Sequence, residues 1–273
     1  MLRTVAQKYG TMVLEDLLDV FGDRAVILNT SAAPDESIED AVERVAADAV
    51  EAVRNGALCV VLDDNDALDG QRFWLDPTVI VAAVDGALRD AYNADGISLR
   101  RKAGVVLRSG ALRDLHDMAV CVSFGANAIV PYATYAVGLG LAPKAAQPPL
   151  DNNAAQKALS NMVDVLTKGI QKVTSTIGCH ELRGYGHSFA AIGLSKSVAA
   201  VFETPNYFGS DGRGLTWDAL ATSAEARAAE LRGEARNKLE NPDRIYPKMW
   251  KKAEDVAMGE MTREEYEAAM LET

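Results

Sequence analysis

The stretch RAVILNTSAAPDESIEDAVERVAADAVEAVRNGALCVVLDD, Arg24 to Asp64, decides the fold. RAVILNT is an apolar run closed by turn-forming residues, which reads as a buried strand. Pro34 follows, then Ser37 and Asp40 in the arrangement of a helix N-terminal cap. From there Ile38, Ala41, Val42, Val45, Ala49 and Val53 fall on one face of a helix. Asn55-Gly56 stops that helix, and LCVVLDD, Leu58 to Asp64, reads as a second buried strand. Strand, helix and strand at this spacing imply a right-handed crossover and parallel pairing.

The unit recurs. DPTVIVAAVDGALRDAY has helical periodicity after Asp76-Pro77, GVVLRSG is strand-like, ALRDLHDMAVCVSFG is helical, and ANAIVPY is a short strand ended by Pro131. The alternation predicts an α/β fold, a parallel sheet surrounded by helices. A loop is expected around Pro143, Pro148, Pro149 and Asn152-Asn153. Beyond it Leu159, Met162, Val163, Leu166 and Ile170 share a helix face, which puts Lys172 near a core. LSKSVAAVF reads as another short helix. From about Ala221 the composition turns to Ala, Glu, Arg and Lys, with helix starts at Asn241-Pro242 and at Thr262 to Glu265. The expected division is a lead-in over 1–23, the α/β domain over 24–220 and a helical C-terminal extension over 221–273.

Charge narrows the function. Acidic residues exceed basic ones, 39 against 28, so the net charge of -11 argues against nucleic acid and against an anionic membrane surface as partners. No run approaches the roughly 18 to 20 apolar residues of a bilayer span, and MLRTVAQKYG lacks the apolar centre of a secretory signal. A cytoplasmic location is expected. Cys59, Cys121 and Cys179 are far apart in apolar or glycine-rich text, as buried thiols would be, and lack the close pairing of a metal site.

Reactive residues concentrate in GIQKVTSTIGCHELRGYGHSFAAIGL, Gly169 to Leu194. Lys172 would serve as a Schiff-base amine if desolvated, and Cys179 as a nucleophile if His180 or His187 turned toward it. Together these four define an autonomous α/β enzyme as one alternative. GSDGRG, Gly209 to Gly214, would present backbone N–H groups to a phosphate with Arg213 adding charge, the basis of a second alternative, a small-anion-binding regulatory module. DDNDALDG, Asp63 to Gly70, fits no register of a calcium loop and reads as solvated acids at a strand end. His116, beside Asp117, stands where a helix begins.

Several segments in order carry a resemblance. GVVLRSGALRDLHDMAVCVSFGANAIVPYATYA is similar to the run in glutamate synthase large subunits that leads from a strand, through a histidine and an apolar helix, to Gly-Ala-x-Ala-x-x-Pro-Tyr. The matching positions are His116, Gly125, Ala126, Ala128, Pro131 and Tyr132. The reactive run resembles the same family's Gly-Leu-x-Lys-x-Met-Ser-Lys-Met-Gly-Ile-Ser and the text after it, through Gly169, Lys172, Ser175, Gly178, Tyr185, Phe189, Ala191, Gly193 and Leu194. It departs at Thr176, where the family has a second lysine, at Cys179-His180 and at Glu181. The resemblance spans Arg24 to Tyr266.

The resemblance implies the central domain of a glutamate synthase, a non-catalytic body built like an incomplete (β/α) barrel, related to an FMN-binding barrel but without flavin. It would link the amidotransferase domain to the FMN-binding synthase domain, with ammonia passing between their sites. The parent enzyme would make glutamate from glutamine and 2-oxoglutarate. On this reading the chain itself holds no cofactor, while FMN and an iron-sulfur cluster belong to the neighbouring synthase domain. His116, Gly125, Pro131, Tyr132, Lys172, Ser175, Gly178 and Tyr185 then become structural or interface positions.

Overall fold

The structure is a computed structural model that describes residues 2–141, 150–182, 185–186, 190–210, 214–234 and 252–271. The chain forms two compact units, Met1–Arg232 and Gly233–Thr273. In the first, helices α1 (Leu2–Lys8) and α2 (Leu14–Phe21) lead into strand β1 (Ala25–Asn29). A two-residue strand β2 (Ser31–Ala32), helix α3 (Ile38–Arg54), β3 (Cys59–Asp63), a short β4 (Phe73–Trp74) and α4 (Pro77–Asp90) follow. Next come β5 (Gly104–Arg108), α5 (Leu115–Ser123), β6 (Ala128–Val130), α6 (Tyr132–Gly138) and α7 (Asn152–Thr176). The unit ends with β7 (Ala191–Ile192), α8 (Lys196–Phe202), β8 (Asn206–Tyr207) and α9 (Trp217–Leu231).

The caps explain the helix starts. Ser37 Oγ accepts from Asp40 N at 3.0 Å to open α3. Asp76, followed by Pro77 in the first turn, accepts from Thr78 N at 2.9 Å to open α4. Asp114 accepts from the backbone N–H groups of His116 and Asp117, so α5 begins at Leu115, later than the apolar periodicity from Ala111 suggests. Ser109 Oγ and Gly110 N are drawn instead to the Asp64 carboxylate, and the Leu112 carbonyl accepts from Thr134 Oγ1.

Strands β1, β3, β5 and β6 form one parallel sheet in that order, each beside its predecessor. Winding in a single direction is the order of a (β/α) barrel, whereas a doubly wound sheet reverses it. Four strands leave the sheet open, so the α/β class and the flanking helices are as expected and the barrel is not closed. β2 and β4 pair antiparallel beside it, and β7 and β8 pair parallel.

Alternation along the strands divides the core in two. Val60 and Leu62 of β3 and Val105 and Leu107 of β5 pack with α3, α4 and α5. Cys59, Val61 and Val106 point the other way, against Leu14, Leu17, Leu18 and Phe21 of α2. That second face would line the interior of a closed barrel. Here an amphipathic helix from the lead-in covers it, which the sequence reading of residues 1–23 did not assign. Both faces are therefore dry, as the uninterrupted apolar strands require.

At the amino end of the sheet Asp85, buried on α4, pairs with Arg100 Nε at 2.5 Å and Arg89 Nε at 2.8 Å. Arg100 also donates to the carbonyls of Ala103 at 2.9 Å and Gly125 at 2.6 Å, which ties the turn after α5 to the entry of β5. In the second unit Thr262 N donates to Glu265 Oε2 at 2.8 Å and Glu265 N to Thr262 Oγ1 at 3.2 Å. This reciprocal cap starts helix Arg263–Leu271 where the sequence placed it. The expected start at Asn241-Pro242 and the prolines 143, 148 and 149 lie outside the described residues.

Gly125 has φ +121° and a Cβ there would overlap the Asp85 carboxyl, whereas Gly56, at φ +105°, has open space around it. Gly56→Ala is expected to cost the left-handed backbone penalty alone, about 1–2 kcal/mol. Gly125→Ala must also displace a paired, buried carboxylate, and should cost at least about 3 kcal/mol by urea unfolding.

Candidate functional site

Parallel strands that end level bring their carboxyl-terminal residues side by side, and in α/β folds this edge is where ligands gather. The register places Asp63 of β3 opposite Arg108 of β5. Arg108 Nη1 donates to both Asp63 oxygens, at 2.6 and 2.8 Å. One residue further, Asp64 is only 4% exposed. Its carboxylate accepts from Ser109 Oγ at 2.5 Å, from Gly110 N at 3.0 Å and from the Tyr132 hydroxyl at 2.7 Å. The Arg108 guanidinium also lies over the Tyr132 ring, 4.5 Å from its centre. Gly110 is needed for this approach, because a Cβ there would stand 2.8 Å from the Tyr132 hydroxyl.

The first strand joins the same edge. Asn29 Oδ1 accepts from Ser31 N at 2.9 Å and its amide donates to Asp66 at 2.6 Å. Arg72 and Arg44 both donate to the Ser31 carbonyl, at 3.1 and 3.0 Å. The acid-rich run at the end of β3, expected as solvated, is thus partly internal: Asp64 is buried and fully engaged. Chemically this edge braces strands. Its carboxylates accept from protein donors, and the Tyr132 proton is held by Asp64. No group of three or more His, Cys, Asp or Glu among the described residues is arranged to hold a metal ion.

Beside Arg108 and Tyr132 opens a largely apolar cavity of about 440 Å³ between α1, α2, β6, α6 and α7. Val5, Leu14, Val130, Tyr135, Leu159 and Leu166 line it, and burial raises the Tyr135 phenol pKa above its ordinary value.

The described residues of the reactive run lie in different settings. Lys172 is exposed on α7, on the side away from the core, contrary to the expectation that it starts near one. The helix face named in the sequence is the packed one, but Lys172 follows Ile170 by two positions and turns outward. Ser175 and Thr176 donate their hydroxyls to the Lys172 carbonyl, at 2.9 and 2.8 Å. His180 is exposed and Cys179 half-buried. Tyr185 is buried, and its phenol is raised by burial first and then by Cys179. Gly178, at φ +78°, closes the turn after α7. Gly169 lets α7 approach α5, since a Cβ there would stand 2.5 Å from Leu115 Cδ2. His116 is exposed on the first turn of α5, and Pro131 leads from β6 into Tyr132. His187, Phe189 and Arg213 lie outside the described residues. Cys59 and Cys121 are buried as expected, and burial pushes the Cys121 thiol up to about 12.

Arg108, Ser109, Asp85 and Arg100 were not singled out in the sequence, and Asp64 was read there only within a run of solvated acids. The signal for Asp64, Arg108 and Ser109 was present: once LCVVLDD and GVVLRSG are taken as neighbouring parallel strands, Asp-Asp and Arg-Ser align end to end. Burial, then the hydrogen bond to Asp64 and its charge, hold the Tyr132 phenol far above its ordinary value. A raised folded-state value means that the neutral phenol stabilises the fold below the unfolded value of about 10, and that this is lost as pH rises beyond it. Tyr132→Phe should cost about 1–2 kcal/mol at neutral pH, by leaving Asp64 short of a donor. The variant should also lose stability less steeply than the parent above about pH 10, read by urea unfolding at a series of pH values.

Residues 10–195 match the family described as glutamate synthase central domain. Among named proteins the chain is 28% identical over 190 residues to a glutamate synthase [NADH] of Schizosaccharomyces pombe, covering 68% of this chain and 8% of that protein. It is 27% identical over 165 residues to the glutamate synthase [NADPH] large chain of Bacillus subtilis, 60% of this chain and 10% of the relative. A ferredoxin-dependent, chloroplastic glutamate synthase of Oryza sativa subsp. japonica is 26% identical over 176 residues, again 60% and 10%. The chain therefore spans about a tenth of the length of the relatives it matches. With a single-direction parallel sheet and a family match over most of its length, the chain belongs to the glutamate synthase central domain family.

Proposed function

We propose that this domain is a non-catalytic linking body of a glutamate synthase, seated between an amidotransferase domain and an FMN-binding synthase domain, along the route that ammonia takes between their sites. The family match over residues 10–195 carries the reading. Two features of the molecule support it. The carboxyl edge of the sheet, where a barrel enzyme of this winding keeps its reacting groups, has its carboxylates and phenol engaged with one another. The face that would form a barrel interior is filled by α2.

On this reading FMN and the iron-sulfur cluster reside in the synthase domain, and the parent enzyme makes glutamate from glutamine and 2-oxoglutarate. His116, Lys172, Ser175 and Gly178 serve as surface positions toward neighbouring domains, and Gly125, Pro131, Tyr132 and Tyr185 as structural ones. Among the described residues no helix is long and apolar enough to cross a membrane. On this reading the domain works in the cytoplasm.

The purified chain should be colourless and without glutaminase activity. In a glutamate synthase whose own central segment is replaced by a flexible linker of equal length, glutamine hydrolysis should persist while glutamine-dependent glutamate formation falls at least tenfold. Restoring this domain in place of the linker should recover part of that loss. Stoichiometric flavin on the isolated chain, or no loss on replacement, would refute the linking role.

A further inference from the structure

Phe208 carries two unfavourable features at once. It is a bulky, non-glycine residue at φ +58°, in the left-handed region that disfavours such side chains. The residue is 92% exposed, so packing among the described residues does not offset the strain. Glu203, the other non-glycine residue of positive φ among the described residues, terminates α8, where a left-handed residue is common. Phe208 ends no helix.

Its neighbours fix the backbone on both sides. Asn206 clasps Leu194, donating to its carbonyl at 2.9 Å and accepting from its N–H at 3.3 Å. Gly209 lies so close to the Leu194 backbone that a Cβ would overlap the carbonyl oxygen. Leu194 is in turn bridged to Leu215, with Leu215 N donating to Gly193 O at 2.8 Å and Ser195 N to Leu215 O at 3.0 Å. Phe208 is therefore held out from a clamped turn. Beside it Ile192 and Tyr207, direct partners in the β7–β8 pair, are 72% and 54% exposed.

Strain that the surroundings over-determine, on a residue that gains nothing from its own fold, points to a purpose outside it. Exposed aromatic anchors on a rigid support are the usual centres of protein interfaces. We infer that Ile192, Tyr207 and Phe208 form a docking site for an uncharged, apolar surface of the glutamate synthase polypeptide that adjoins this domain. The inference rests on the linking role proposed above. Three observations select this occupant. The three side chains bear no charge, the chain as a whole carries -11, which opposes anionic membranes, and about nine tenths of each relative lies outside the matched stretch. The site also stands at the boundary of the family match, which ends at residue 195, between β7 and β8.

The test uses the whole chain, affinity-tagged in its host, with Phe208→Asn and Ile192→Ser as variants and Tyr92→Ser, on an exposed aromatic elsewhere, as control. Asn tolerates the left-handed region, so Phe208→Asn should raise the thermal midpoint of the isolated chain by about 2–4 °C. The amount of glutamate synthase polypeptide recovered with the chain, identified by mass spectrometry, should fall at least tenfold for Phe208→Asn and Ile192→Ser and stay unchanged for Tyr92→Ser. Equal recovery for all four proteins overturns this docking site and leaves the linking role standing. Recovery of no glutamate synthase polypeptide by any of them overturns both. A dimer in sedimentation that Phe208→Asn abolishes, or binding to neutral phosphatidylcholine vesicles that it abolishes, assigns the surface to a second copy or to lipid and refutes the inference. A lowered thermal midpoint for Phe208→Asn shows that the side chain stabilises its own fold and removes the premise.

Discussion

The sheet depends on one buried carboxylate. Asp64, at the end of β3, accepts from the Ser109 hydroxyl, the Gly110 N–H and the Tyr132 hydroxyl. Those donors come from the segments that leave β5 and β6, so a single side chain ties together the exits of three adjacent strands. A carboxylate out of water is costly unless its lone pairs are matched by donors, and this constraint demands a hydroxyl, a glycine and a tyrosine at fixed places. The adjoining Asp63–Arg108 pair and the stacking of Arg108 on Tyr132 keep the ring in position. At the opposite edge Asp85 has a related part, drawing Arg89 and Arg100 to the turn at Gly125. The sheet is thus pinned at both ends by a buried acid.

That arrangement bears on what the family membership means for this chain. A sheet wound in one direction, with its crossover helices on one face, has the geometry from which a catalytic barrel is made. Three features separate it from one here: four strands leave it open, α2 covers the would-be interior, and the groups at the carboxyl edge bind each other. The proposed linking role asks for a part that holds other domains at a distance and orientation, and the proposed anchor at Phe208 would draw on the same clamped backbone.

Much of this was legible in the chain. Continuous apolar runs and cap residues such as Ser37 and Asp76 specify strands and helix starts through local backbone sterics and short-range hydrogen bonds. The succession of units implied parallel pairing, and the resemblance carried by Gly125, Pro131 and Tyr132 led to the right family. The reactive run from Gly169 misled in one respect. Lys172 follows a packed helix face closely enough to suggest burial, yet a difference of two positions on a helix turns a side chain about 200° around the axis. Asp64 was missed for the opposite reason, because acids at a strand end are ordinarily solvated, and its donors lie 45 to 68 residues away.

The sequence by itself determined the α/β class, the helix starts at Ser37, Asp76 and Thr262 and the family, since each is written in neighbouring residues or in their order along the chain. Only the tertiary structure decided that Asp64 is buried, that α2 fills the second face of the sheet, and that Phe208 stands exposed on a strained backbone. The exposure of a side chain is set by what the rest of the chain places against it, and those partners are distant in sequence.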